Sequence, residues 1–284
     1  MDNVKIRKAT ASESDLNGIV HIHRKEEHIP WNNIKSCTLW TTKRLECGFY
    51  ITIGEIGGKI ISYAEWVISD EPDRKILYLG YLQVDPDYQR KGIGRIIIAD
   101  GIEYAKKNKC PQIVTNPEVQ DGADIFYRKC GFKNARKLFS LQILTESYKD
   151  YTFQKEILDK VPFSAIKERK FIFGKWEFAS SHIWQVFNES AHGRKSHVIS
   201  LQDKTFIQID DGSDGGAVMI WANTNSTNYS DIIKSALSFA YSIGYHHLDF
   251  AYLEDEESFL DGFDVYDKKL ESDFEQIYYI DEGE

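Results

Sequence analysis

Residues 79–95 read Leu-Gly-Tyr-Leu-Gln-Val-Asp-Pro-Asp-Tyr-Gln-Arg-Lys-Gly-Ile-Gly-Arg, and the reading of this stretch decides the fold. An apolar strand runs into a tight loop holding Gly92 and Gly94, and a helix starts directly after it. A helix N-terminus leaves backbone N–H groups without partners and carries partial positive charge, so it suits an anionic phosphate. The two glycines lack a Cβ, which lets the chain turn sharply and lets a ligand approach the backbone. Arg90, Lys91 and Arg95 bring cationic side chains to the same place. The stretch is expected to grip a diphosphate. It is not a dinucleotide fingerprint, because the third glycine of G-x-G-x-x-G would fall at Ile97. Nor is it a Walker loop, because no Gly-Lys-Ser/Thr follows.

Gln89-Arg90-Lys91-Gly92-Ile93-Gly94, preceded by Leu82, Val84 and Pro86, resembles the Gln/Arg-x-x-Gly-x-Gly/Ala signature of the GCN5-related N-acetyltransferase (GNAT) superfamily. Downstream, Phe126-Tyr127-Arg128-Lys129-Cys130-Gly131-Phe132 is similar to the ending of a helix in the same family. The resemblance implies an α+β fold, an α/β/α sandwich of the acyl-CoA N-acyltransferase type. Its sheet is mixed, mostly antiparallel and flanked by helices. The implied activity is transfer of an acetyl group from acetyl-CoA, a co-substrate, to a primary amine by direct attack, with no metal. Backbone N–H groups from Gln89 through Arg90, Lys91, Gly92, Ile93 and Gly94 to Arg95 would bind the pyrophosphate. Main-chain groups of Leu82 and Val84 would pair with the pantetheine arm as an added strand, the Leu82 amide polarising the thioester carbonyl. Tyr127 matches the general acid, since a phenol with a pKa near 10 carries a proton to give at neutral pH. The family often has Asn seven residues before this tyrosine. Here that position is Gln120, and Asn116 lies four residues earlier, so either amide is a candidate for the pantetheine contact.

The general base stays open at this stage. Glu65 on the third strand is the first candidate, with Tyr81 and Asp85 as alternatives. His21, His23 and His28 lie where the family often lines its acceptor pocket, and solvent-facing positions are the default expectation for them. Trp31 and Trp40 are candidates for an amine pocket or for core. His246 and His247 have no recognisable metal-ligand partners, and Cys130 reads as a packing residue. The alternative function is a non-catalytic acyl-CoA-binding module whose second half mediates interactions. A third is transfer of longer acyl chains.

The chain has 284 residues, 42% hydrophobic and 13% aromatic, which suits two packed domains rather than disorder. No apolar run is long enough to span a membrane, no signal-peptide run opens the sequence, and the four cysteines form no C-x-x-C, so a reduced, cytoplasmic protein is expected. The net charge of −9 is uneven. Residues 1–150 carry 23 Lys and Arg against 20 Asp and Glu, whereas residues 151–284 carry 12 against 24. The acidic half would repel nucleic acid and attract a cationic amine, or simply keep the surface solvated.

Along the chain, a strand at 6–9 leads to a helix over 15–25 with Ser12 or Ser14 as its cap. A second helix is expected over 39–46, a hairpin turns at Gly57-Gly58, and a strand at 76–84 feeds the loop. Ile96, Ile97, Ile98, Ala99, Ile102 and Ala105 form one side of the next helix. A strand at 112–115, a short helix at 123–129 and a closing strand at 138–144 complete the expected unit over 1–146. After a linker at 147–170, residues 171–284 show a fainter version: a hairpin at 205–222, a helix at 231–241, strands at 247–253 and 276–280, and a Phe-to-Gly turn at 259–262. The segment matching the glycine loop, 223–228, has neither glycine nor basic residue. A second, degenerate copy of the first unit is therefore expected, unable to hold phosphate. Such a pseudo-dimer within one chain points to a monomer.

Overall fold

The computed structural model describes residues 4–25, 33–71, 74–117, 122–162, 169–173, 195–211, 215–223 and 228–280. The first half runs β1 (Lys5–Lys8), α1 (Glu13–His23), α2 (Ile34–Glu46), β2 (Tyr50–Ile56), β3 (Lys59–Glu71), β4 (Arg74–Val84), α3 (Ile93–Lys107), β5 (Gln112–Thr115), α4 (Ala123–Lys129) and β6 (Lys133–Leu144). The second half adds β7 (Lys155–Leu158), β8 (Arg169–Ile172), β9 (Ser196–Leu201), β10 (Phe206–Asp211), β11 (Gly216–Asn223), α5 (Tyr229–Ser242), β12 (His247–Leu253), a 3-10 helix (Glu254–Leu260) and β13 (Val265–Tyr279). Ser12 caps α1 by accepting the Asp15 N–H. Helix α2 starts at Ile34 rather than Leu39, because the Asn33 side chain accepts the Ser36 N–H at 2.9 Å and caps an earlier turn. The β2–β3 turn has Gly57 and Gly58 at φ of +57° and +81°, as a two-residue hairpin requires.

Among the described residues the strands form one continuous sheet, ordered β1-β2-β3-β4-β5-β13-β6-β12-β11-β10-β9-β7, with β8 paired to β11. The pairs are antiparallel except at two places. β4 runs parallel to β5 across the α3 crossover, and β11 runs parallel to β12 across α5. Each parallel pair is short: Leu77↔Ile113 and Tyr78↔Val114 in the first half, Gly216↔Leu248 and Ala217↔Asp249 in the second. The second half thus repeats the strand–helix–strand plan of the first, and the mixed sheet flanked by helices is as the resemblance implied.

The two halves trade strands. β13, near the end of the chain, lies between β5 and β6. β6 in turn pairs antiparallel with β12, from His247↔Leu144 to Leu253↔Leu138. Hydrogen bonding therefore crosses the sequence division at 146–171 at three strand pairings. Within the stretch expected as a linker, β7 pairs with β9 as an edge of the sheet.

Apolar residues bury three clusters. The first lies under α1 and α2 (Ile19, Ile22, Trp40, Phe49) and runs on into Val198, Phe206, Met219 and Trp221 of the second half. Another lies under α3 and α4 (Trp66, Leu79, Ile97, Tyr127, Phe132), and the third under α5 (Ile207, Ile220, Leu237, Phe250). The buried side of α3 is Ile93, Ile97, Ile98, Gly101 and Ala105. Ile96 and Ala99 face outward instead of inward, because the helix turns to seat Gly101 on the Trp66 indole.

A chain ending at residue 264 would lack the strand that joins β5 to β6. Such a chain is expected to lose the cooperative urea transition of the full protein and to associate through its bared edges. Urea denaturation and size-exclusion chromatography check this; a monomer with an unchanged transition would contradict it.

Candidate active site

Strand β4 stays paired with β3 as far as Ser62↔Val84, but its parallel pairing with β5 stops at Tyr78↔Val114. Its far edge is therefore open beyond that point. A bulge falls here: Glu65 faces Tyr81 while Trp66 faces Leu79, leaving Gly80 as the extra residue. The Asp85 N–H reaches the Ile61 carbonyl at 2.8 Å, toward β3. Strand alternation then directs the main-chain groups of Gln83 and Tyr81 to β3 and those of Val84 and Leu82 to the open edge. Leu82 and Val84 thus sit where an extended ligand arm could add as a strand. The Gln89 side chain already donates to the Val84 carbonyl at 3.0 Å and fixes the loop to the strand end.

In the loop, Arg90 and Gly92 both adopt left-handed backbone, at φ of 60° and 81°. Such alternation turns successive N–H groups into one concavity. The Tyr88 and Gln89 N–H groups bond back to Asp85 and Pro86, and that of Arg95 bonds to Gly92. Among the described residues, no turn or cap bond uses the five N–H groups from Arg90 through Lys91, Gly92 and Ile93 to Gly94. Helix α3 has no side-chain cap and no acidic residue in its first turn. At Gly94 a Cβ would lie 2.8 Å from the Phe126 ring, so this glycine lets α4 close on α3. Lys91 donates to the Asp87 carbonyl at 2.8 Å, while Arg90 and Arg95 are exposed. The end of α5 is built differently. Asn228 caps it by accepting the Asp231 N–H, Asp231 adds negative charge to the first turn, and Tyr229 stacks on Phe259 at 4.1 Å.

Tyr127 projects from α4 into the core under α3, with the rings of Phe126 and Phe132 at 5.1 and 5.4 Å. Burial raises its phenol pKa, although a hydrogen bond with the Thr115 hydroxyl opposes the shift. The phenol is therefore protonated at neutral pH. Thr115 also donates to the Leu79 carbonyl at 3.1 Å, tying β5 to β4 at the point where they part. Asn116 follows, half-buried, at the mouth of the gap. Gln120, His28 and Trp31 lie outside the described residues.

The opposite face of the same strands corrects the expected base. Glu65 is 1% exposed, and both of its oxygens are engaged from α2. Oε1 accepts the Trp40 indole N–H at 2.9 Å, and Oε2 lies 2.5 Å from the Arg44 guanidinium. That guanidinium stacks on Trp40 and Phe49, with centroid distances of 3.9 and 4.7 Å. Burial pushes the Glu65 pKa up to about 6, against the pull of Arg44 and the Trp40 N–H. A carboxylate so enclosed pins α2 to β3 and does not meet an incoming amine. Asp85 is likewise buried, with Lys25 at 2.5 Å, Lys59 at 3.5 Å and His21 at 3.7 Å. Burial works to raise its pKa, yet the Lys25 hydrogen bond and the Asp87 N–H hold it below the ordinary value. Trp40 is core. His21 is exposed, as expected, but His23 is fully buried, with Tyr63 and Tyr81 rings at 5.2 and 5.3 Å. Burial lowers its pKa to about 3, opposed by a hydrogen bond with Gln83, so it is neutral at pH 7. Half-buried Tyr81 remains from the three candidates. Arg44 was absent from the sequence reading, although its place one turn after Trp40 on the buried side of α2 was a usable signal. Gly80, a lone glycine within a strand, signalled the bulge. Among the described residues, no group of three His, Cys, Asp or Glu side chains could hold a metal, and no helix is long and apolar enough to cross a membrane.

Comparison with known proteins agrees with this fold. Residues 16–132 match the model of the acetyltransferase (GNAT) family. An uncharacterized N-acetyltransferase of Methanocaldococcus jannaschii is 34% identical over 99 residues, 33% of this chain and 42% of that protein. The match thus spans less than half of the relative. Over almost the whole chain, the fold is similar to that of a GCN5-related N-acetyltransferase from Kribbella flavida, with a TM-score of 0.67 at 10% identity, covering 99% of this chain and 72% of the other. It is also similar to a tandem GNAT protein from the clavulanic acid biosynthesis pathway, with a TM-score of 0.54 at 12% identity, covering 99% and 100%. Residues 16–132 thus match the GNAT family model, and the fold of nearly the whole chain is similar to that of a tandem GNAT protein.

The buried His23 makes a pH prediction. Its folded pKa lies below the ordinary 6.5, so the unfolded chain takes up the proton first. The stability it contributes is whole above that value and is lost as pH falls toward 3. His23→Gln should give a shallower fall in urea midpoint than the wild type between about pH 7 and 5. Parallel slopes would show that His23 does not titrate this way.

Proposed function

We propose that this GNAT-domain protein is an N-acetyltransferase that moves an acetyl group from acetyl-CoA to a primary amine by direct attack. The observation that carries the reading is the row of five uncommitted N–H groups from Arg90 to Gly94 beside the open edge of β4. A diphosphate placed there would satisfy donors that the fold leaves open, with Arg90, Lys91 and Arg95 around it. The pantetheine arm would then run along Leu82 and Val84. The Leu82 N–H would polarise the thioester carbonyl, a donor fixed before the reaction begins.

The amine, in its neutral form, attacks the carbonyl carbon. The carbon–nitrogen bond forms, the carbon–sulfur bond breaks, and Tyr127 gives its proton to the departing sulfur. Solvent restores the phenol proton, and the nitrogen sheds its own extra proton. Glu65 and Asp85 are both committed to cationic partners, so neither carboxylate takes that proton. We assign its first acceptor to water at the Tyr81 side of the cleft. The acidic second half favours a cationic acceptor by long-range attraction.

The direct test is a thiol-release assay over a panel of amines, paired with calorimetry of CoA binding. Release with at least one amine is expected. Binding without turnover on any amine would point instead to a non-catalytic acyl-CoA-binding module, and no binding at all would end the reading. Gly92→Val, which forces a branched residue into left-handed backbone, should weaken CoA binding about tenfold or more. Tyr127→Phe should lower kcat about a hundredfold with little change in the acetyl-CoA KM. With water as proton acceptor, kcat/KM for each amine should climb with pH to that amine's own pKa. A common limb near pH 6 for all amines would return the role to Glu65. Added salt should raise KM for cationic acceptors and leave neutral ones unchanged.

A further inference from the structure

We propose that Gln276, on the last strand of the chain, is a positioning residue for the Tyr127 phenol, so that the end of the second half sets the chemistry of the first. This rests on Tyr127 being the acid described above.

Gln276 is fully buried on β13. Its main chain is in register with Thr115 on β5 and with Asn134 on β6. Its side-chain amide donates to Asn134 Oδ1 at 2.7 Å and to the Asp124 carbonyl at 3.3 Å, in the first turn of α4. That helix has seven residues and no side-chain cap. A helix this short has little stability of its own and takes its position from what it packs on. The surroundings of Tyr127 meet β13 at three points. Thr115, which hydrogen-bonds the phenol, pairs with Gln276. Asp124, at the start of the helix, accepts from the Gln276 side chain. Phe132, whose ring meets Tyr127, meets Tyr278 at 5.5 Å from the other side.

The register of Gln276 is itself fixed. Neighbouring Glu275 makes a two-pronged pair with Arg136 at 2.9 and 2.8 Å, and Arg136 also holds Asp255 at 2.9 Å. A register shift between these neighbours leaves Ala135 as an extra residue opposite them. An amide at a fully buried position is costly unless its hydrogen bonds are made. The next residues inward, Ile277 and Tyr278, show that the strand otherwise fills its core with apolar side chains. The Nε2 end of the amide is spent on the α4 carbonyl and on Asn134, while Oε1 is buried with no hydrogen-bond partner among the described residues; the geometric effect of the two bonds is to hold the helix that carries the acid.

The test is a double-mutant cycle of Gln276→Leu with Tyr127→Phe in the full chain, read as kcat and as acetyl-CoA KM. Leucine keeps the volume and removes both hydrogen bonds. Gln276→Leu should lower kcat about tenfold with acetyl-CoA KM changed less than about twofold, and in the Tyr127→Phe background the same substitution should change kcat less than about twofold. An equal loss in both backgrounds, or a loss confined to KM, would overturn the inference and leave the acid role intact. Full activity in Tyr127→Phe would overturn both. If Gln276→Leu does not fold, Asn134→Ala removes the 2.7 Å partner from an exposed position and takes its place, with the same outcomes.

Discussion

Beyond Tyr78 and Val114 the two parallel strands β4 and β5 part, and the hydrogen-bonding groups on the edge of β4 are left without a strand. Everything proposed for the site follows from that separation. The Gly80 bulge lies just past the last parallel pair, and Thr115 bridges β5 to the Leu79 carbonyl where the gap begins. The gap exposes the main chain of Leu82 and Val84, and the loop after β4 places its uncommitted N–H groups at one end. A buried edge of this kind would be costly if it stayed dry and unpaired. A cleft open to solvent or to an extended ligand resolves that cost, and the fold maintains the opening with ordinary core packing on both faces of β3 and β4.

The second half of the chain shows the same plan with the ligand chemistry removed. Its parallel pair also stops after two residues, but β8 then pairs with β11 from Ile220↔Ile172 to Asn223↔Arg169, so the corresponding edge is filled by the chain itself. The helix end differs as well. Helix α3 begins with a glycine, no capping side chain and no acid, whereas α5 begins with Asn228, whose side chain accepts the Asp231 N–H, and with the Asp231 carboxylate, which accepts from the Asn228 amide. A carboxylate and a side-chain amide at that end make it a poor partner for phosphate. The second half has kept the scaffold, and its strands now complete the first half: β13 fills the place between β5 and β6, and β6 borders β12. The core beneath α1 and α2 is shared as well, running into Val198 and Trp221. Neither half closes its own sheet.

The loop at 89–95, the short helix carrying Tyr127 and the order of elements through β6 were legible from sequence, because glycine placement and apolar periodicity report local backbone. The traded strands were not. A last strand reads from the sequence only at 276–280, its start at Val265 does not, and nothing in its own residues names β5 rather than a neighbour in its own half as its partner. Glu65 was misread for a related reason. A strand carboxylate looks the same from sequence whether it faces a cleft or a guanidinium, and the choice is made by Arg44, which reaches it from a different helix. His23 likewise sits at the end of a helix whose polar residues read as solvent-facing, and only the packing of Tyr63 and Tyr81 over it encloses the ring.

The corrected Glu65 changes the argument about proton movement. Taking an ion pair out of water is expensive, and the attraction between the charges recovers that cost only when geometry and further hydrogen bonds are good. Here Arg44 stacks on two aromatic rings and lies 2.5 Å from Glu65, which takes a further bond from Trp40, so the pair depends on the core packed around it. Giving Glu65 the amine's proton would neutralise it and leave the Arg44 charge buried beside a neutral acid. That penalty falls on the step that must be fast. A proton released to water carries no such penalty, and it leaves the ion pair to do the one task its position suits: holding α2 against β3, across from the bulge in β4.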